Sequence, residues 1–183
     1  MGDNEKALTW IIKAIEIDPT SHYDSEYIHV NILKSKIKND SISTEDLIET
    51  SFGFENLPKT SLNSAKLLSL KRAIYYQLNE RISFIKPKDK IIATLLYDLA
   101  NINYLLEAKA DIYLELYRMA EEYGFDQKTI QDRITAINAE IKGKDVKDTV
   151  EDKKFDIAKY KTTIILVLGL LLVIFLIFKL RKK

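Results

Sequence analysis

Residues 3–21 read DNEKALTWIIKAIEIDPTS. Asp3 is a favourable N-cap, and Asp18 with Pro19 ends the helix it opens, because proline has no amide hydrogen and pushes the preceding residue out of helical geometry. Between these limits Ala7, Leu8, Ile11, Ala14 and Ile15 recur at three- and four-residue spacing and share one face. The segment from Asp3 to Ile17 is therefore read as an amphipathic helix.

The same period continues outward along the chain. A second helix is expected from about Ser25 to Ile37, carrying Ile28, Ile32 and Leu33, before the polar stretch KNDSIST. Residues 39–63 are irregular and read as an ordered insertion, with a short helix near Thr44, then Gly53 and Pro58 as punctuation. Phe52, Phe54 and Leu57 are expected to dock it on the core. A third helix, about 62–85, places Leu67, Leu70, Ile74, Leu78 and Ile82 at helical spacing and ends before Pro87. Asp89 caps a fourth, to about Leu106, with one stripe of Leu95, Leu99, Ile102 and Leu106 and another of Tyr97, Ala100 and Tyr104. Two stripes predict burial on two sides.

A fifth helix, about 108–123, sets Ile112, Leu116 and Met119 beside Tyr113, Tyr117 and Ala120, and Gly124 is placed as its C-terminal cap. The fourth and fifth are read as a hairpin. A sixth, about 128–141, shows a narrow stripe of Ile130, Ile134, Ile137 and Ile141, with Gln131, Asp132, Arg133, Asn138 and Glu140 assigned elsewhere on its surface. Five glycines, three prolines and 46% apolar residues in 183, with no convincing strand alternation, define an all-α chain.

The run Thr162–Phe178, TTIILVLGLLLVIFLIF, contains no charged residue. Seventeen residues at about 1.5 Å each give roughly 25 Å against a hydrocarbon core of about 30 Å, a gap that snorkelling cations and an interfacial tyrosine cover. Tyr160 and Lys161 precede the run; Lys179 and Arg181 follow it. A buried core helix of a small protein would need a polar stripe facing water, and this run has none. Gly169 stands alone, without a second small residue four away, so no helix-dimerisation motif is indicated. The predicted plan is a helical domain at 1–142 with a divergent insertion at about 39–63, a charged linker or stalk at 143–161, a single membrane-spanning helix at 162–178 and a basic tail at 179–183. Membrane lipid is accordingly one expected partner.

Charge and chemistry narrow the function. Lys plus Arg number 28 and Asp plus Glu 27; four of the basic residues follow Phe178, leaving 24 against 27, a balance of −3, for the rest. That argues against a basic phosphate-gripping face, and no nucleic acid is expected. With no cysteine there are no disulfides or thiolate sites. His22 and His29 are seven apart without metal-ligand spacing and are read as ordinary polar residues. No phosphate loop, GxSxG or dinucleotide fingerprint is present, and adjacent carboxylates such as Glu45 and Asp46 or Glu121 and Glu122 point apart on a helix. Neither catalytic residue, cofactor site nor metal site is predicted, and the chain is read as non-enzymatic.

Paired amphipathic helices with short connections suggest an α-solenoid. Ala7, Ile11, Ala14 and Pro19, within the string KAIEIDP, have the spacing of the second helix of a tetratricopeptide repeat, and the segment resembles that family. Tyr97 and Tyr104, followed by Tyr117 and Ala120, make the pair from Asp89 to Gly124 a weaker copy, departing from the pattern where Asn101 stands in place of a small residue; the resemblance covers 1–38 and 88–142, with a divergent middle. Ordinary bundle packing is the alternative for these stripes. The resemblance implies a tetratricopeptide-like solenoid of about six helices that binds an extended peptide or protein helix, with groove positions near Leu95, Asp98, Ile102 and Leu105; packing of these four on a neighbouring helix is the equal alternative. These lack the Lys and Asn of a carboxylate clamp. It also implies that helix 3–17 lacks its upstream partner, so the natural product is expected to be longer at its N-terminus or to start elsewhere.

The preferred expectation is a membrane-anchored protein-interaction scaffold of bacterial type, in the cytoplasmic membrane. The alternatives are the repeat-containing sensor portion of a truncated transmembrane receptor and a tail-anchored organelle adaptor. Orientation is left open: five lysines between Val146 and Lys161 nearly balance four basic residues between Lys179 and Lys183.

Overall fold

The computed structural model describes residues 3–38 and 42–143. Eight helices and no strand occur among them: α1 Asn4–Ile17, α2 Ser21–Asp24, α3 Glu26–Lys38, α4 Thr44–Ile48, α5 Ser64–Ile82, α6 Lys90–Leu105, α7 Ala110–Tyr123 and α8, residues 127–143. The described residues are all-helical in class, as expected. No helix among the described residues is long and apolar enough to cross a membrane. The run at 162–178, the linker and the basic tail lie outside the described residues. One compact unit ends at Ile137; residues from Asn138 belong to a second.

Local chemistry sets the helix ends. The Asp3 carboxylate accepts from the Lys6 amide at 3.0 Å, and the Asp18 amide donates to the Ala14 carbonyl at 2.9 Å. Ser43 and Asp46 form a reciprocal capping box on α4. Asn63 and Asp89 cap α5 and α6 through the amides of Lys66 and Ile92. Gly124 closes α7 at φ +104°, and a Cβ there would meet the Lys88 side chain at 3.3 Å, so only glycine fits without strain.

α6 is the centre. Every residue from Ile91 to Asn103 is buried, because α7, α5 and α4 all pack against it. The α6–α7 hairpin is closed by the Asp89 amide donating to the Tyr123 carbonyl at 3.0 Å. α3 contributes Ile28, Val30, Ile32 and Leu33 to the core, and Gln77 on α5 donates to the Ser25 hydroxyl at 2.9 Å. α1 lies on α3 and buries no residue completely: Ala7, Leu8, Ile11 and Ile15 are half-buried, whereas Ala14 faces solvent.

Two features depart from the sequence reading. Phe52 docks as expected and is buried, but Phe54 is 66% exposed and Leu57 only half-buried. Before α3, His22, Tyr23 and Asp24 lie consecutively in the left-handed region, at φ 52°, 62° and 58°. Such a turn costs roughly 1–2 kcal/mol per residue for L-amino acids. Tertiary contacts offset it: the His22 ring stacks on Tyr76 with centroids 4.8 Å apart, Tyr23 packs edge-on to the same ring, and His22 is hydrogen-bonded to Glu26. His29 also approaches Glu26, at 3.6 Å, so the chain's two histidines share one carboxylate.

Candidate functional site

A helix buried on all sides must place its polar residues inside the protein, and α6 carries four of them: Thr94, Asp98, Asn101 and Asn103. Thr94 and Asn103 donate to carbonyls one turn back, those of Lys90 and Leu99, at 2.8 and 2.7 Å. Asp98 and Asn101 instead join a cluster assembled from four parts of the fold. The Tyr117 hydroxyl, from α7, donates to Asn101 Oδ1 at 2.8 Å. Arg133, from α8, donates through Nη2 to the Tyr97 hydroxyl and to the Gly53 carbonyl, both at 2.6 Å. The Tyr97 ring is stacked on Phe125 at 4.1 Å, tilted against Tyr117 at 5.8 Å, and lies 5.6 Å from the Arg133 guanidinium.

The cluster is dry and charged. Arg133 is 1% exposed and Asp98 wholly buried. Both Asp98 carboxyl oxygens, Asn101 Nδ2, and Arg133 Nε and Nη1 make no hydrogen bond to protein atoms. Acceptors and donors are thus left over in the same cluster. Burial pushes the Asp98 carboxyl well above the usual carboxylate range, while Asn101 and Arg133 pull it down. Burial likewise raises the Tyr97 and Tyr117 phenols, so both stay protonated donors near neutral pH.

The sign for Asp98 gives a prediction. A carboxyl whose folded pKa is raised holds its proton to a higher pH in the folded chain than in the unfolded one, so its contribution is complete below about pH 3.9 and declines as pH rises towards the folded value. Asp98→Asn removes that dependence. The variant is expected to gain stability relative to the parent as pH rises from about 4, until the folded Asp98 value is passed, read as the difference in thermal midpoints in mild detergent. Parallel profiles would exclude a raised Asp98.

The residues picked from the sequence fall in different places. Tyr97, Tyr117 and Ala120 are buried together across α6 and α7, and Tyr104 is half-buried, edge-on to Tyr113 at 5.6 Å. Ala7 and Ile11 face α3 on the half-buried side of α1, whereas Ala14 and Pro19 are exposed. Of the expected groove, Leu95, Asp98 and Ile102 are wholly buried and Leu105 half-buried. They do not line an open groove here, because the chain's own helices cover α6. Tyr160, Lys161, Lys179 and Arg181 lie outside the described residues.

Arg133, assigned to the polar side of its helix by charge alone, is the residue that the sequence reading missed. Its position shows the signal: three residues after Ile130 and four before Ile137, both fully buried, it belongs to their stripe. Asn101, which stands where the resemblance would call for a small residue, accepts a hydrogen bond from the Tyr117 hydroxyl. Among the described residues no group of three or more His, Asp or Glu could hold a metal ion. The arrangement ties three helices to a loop, and Asp98 within it is wholly buried. Comparison with protein-family models, characterised proteins and solved structures finds no match to the chain.

Proposed function

We propose that this chain is a membrane-anchored helical interaction module, single-pass and of the bacterial tetratricopeptide-repeat kind, which holds a protein or peptide ligand without transforming it. The observation that carries the reading is the order of parts: an all-helical domain, a charged stretch at 143–161, then seventeen residues without charge between cationic flanks. Exposed apolar side chains on the helical domain support the interaction half. Ile17 is 85%, Phe84 83% and Trp10 67% exposed, and on α1 Trp10, Ala14 and Ile17 follow i, i+4, i+7 spacing on one outer face.

Two measurements in cells test the two halves. Leu168→Lys with Leu171→Lys places two charges near the middle of the run, which opposes insertion by about 6 kcal/mol, taking roughly 3 kcal/mol for each lysine. The doubly substituted chain is expected to move from the membrane pellet to the supernatant; retention in a carbonate-washed pellet would defeat the anchor. For the interaction half, a photocrosslinking residue at position 17 is expected to give discrete protein adducts that are lost when Trp10 is changed to Glu. Adducts indifferent to Trp10, or none at all, would count against a scaffold.

A further inference from the structure

Away from the Arg133 cluster, an open cleft of about 260 Å³ lies between α3, α5 and the end of α4. Its floor is apolar, formed by Ile48, Leu70 and Ala73, all buried. Tyr23 and Tyr27 supply aromatic surface. Asp24 and Glu49 stand exposed on the rim, with Lys66 and Ser69 from α5. Three of these lining residues, Tyr23, Asp24 and Glu49, hold positive φ without being glycine, the last as the C-cap of α4. Glu49 is not free to swing: Asn31 donates to its Oε1 at 3.2 Å and to the Leu47 carbonyl at 3.2 Å, fixing the carboxylate at the lip.

We infer that this cleft binds an arginine side chain presented by a partner protein. An apolar floor suits the aliphatic stem, and a carboxylate at the lip suits the cationic head, the division by which long basic side chains bury and expose their parts. Arginine fits better than lysine, since a planar guanidinium both stacks on tyrosine faces and forks onto a carboxylate. Asp24 and Glu49 outweigh Lys66, leaving the rim one negative charge in excess. An anionic ligand would meet two carboxylates and one amine. The ligand's being part of a protein rests on the interaction reading above, which the cleft makes specific in chemistry.

The two charged signs on the rim make the test directional. The full chain, carrying 13C-methyl isoleucine in detergent micelles, is titrated with acetyl-Gly-Arg-Gly-amide and with acetyl-Gly-Glu-Gly-amide, and the Ile48 methyl is followed. The arginine peptide is expected to shift it saturably and the glutamate peptide not to. Glu49→Gln, which keeps an acceptor for Asn31, should weaken binding at least fivefold. Lys66→Gln, at an exposed site, should tighten it two- to threefold. Equal responses to both peptides, a silent Ile48 methyl, or Glu49→Gln leaving affinity unchanged would overturn the assignment; the Ile28 methyl, buried elsewhere in the core, confirms that each variant is folded. Failure here alongside specific crosslinks at position 17 would remove the cleft and leave the scaffold standing. The reverse pattern, arginine binding without crosslinked partners, would keep the cleft and remove the scaffold.

Discussion

Arg133→Ala is expected to lower the unfolding free energy by about 3–6 kcal/mol, taking roughly 1.5–3 kcal/mol for each of the two hydrogen bonds that its charged guanidinium donates. Domains of this size are commonly stable by only about 5–15 kcal/mol, so the loss would be plain in a thermal melt of the full chain followed by far-UV circular dichroism. The guanidinium donates at 2.6 Å to both Gly53 and Tyr97, and its removal leaves a buried carbonyl and phenol oxygen without that donor. It also removes the cation that draws the Asp98 pKa down, so the carboxyl should retain its proton to still higher pH. A double-mutant cycle separates charge from packing. Arg133→Met and Asp98→Leu together should cost less than the sum of the single changes by about 1 kcal/mol or more, because the Arg133 cation and the Asp98 carboxyl are coupled electrostatically. Strict additivity would mean that Asp98 and Arg133 do not act on each other.

Tyr117→Ala is the second large effect, about 3–5 kcal/mol, because the ring is fully buried against Tyr97 and its deletion leaves a cavity at the centre of the hairpin. Tyr117→Phe isolates the hydroxyl. It keeps the ring and removes the donor to Asn101 Oδ1, and since Asn101 Nδ2 has no protein partner, the amide would lose its remaining side-chain hydrogen bond there. A cost of about 1–3 kcal/mol is expected for an amide oxygen stranded in this way. Chemical denaturation of both variants should give the order Ala below Phe below parent. A Phe variant as stable as the parent would show that the Asn101 bond contributes nothing.

What the sequence discloses here is mainly what short-range chemistry decides. Asp3, Asp89 and Gly124 mark their helix ends because a side-chain acceptor or a positive φ is needed at that residue whatever surrounds it. The two stripes on α6 announce its burial on several sides for the same reason. The left-handed turn at His22–Asp24 has no such marker: no glycine occurs in it, and it exists because Tyr76 and Glu26, the former over fifty residues away, hold the His22 ring. Arg133 is a similar case, since charge argues for solvent while only the Tyr97 hydroxyl and the Gly53 carbonyl, from distant segments, make burial tolerable. The expected groove on α6 goes the other way. Its residues are well suited to packing, and α5 and α4 take the place that a ligand would have filled.

α1 rests on α3 through side chains that are half-buried at best, whereas the contacts that fix the rest of the domain converge on α6. Opening free energies need not be uniform along such a chain: a segment held by a few partial contacts can detach and return many times for each global unfolding event. α1 is therefore the helix expected to detach first from this frame, with an opening equilibrium of its own. A partner of the kind proposed above, engaging Trp10 and Ile17, would act on that equilibrium as well as on a surface, and trapping the closed or the open helix would conceal or uncover the face of α3 beneath.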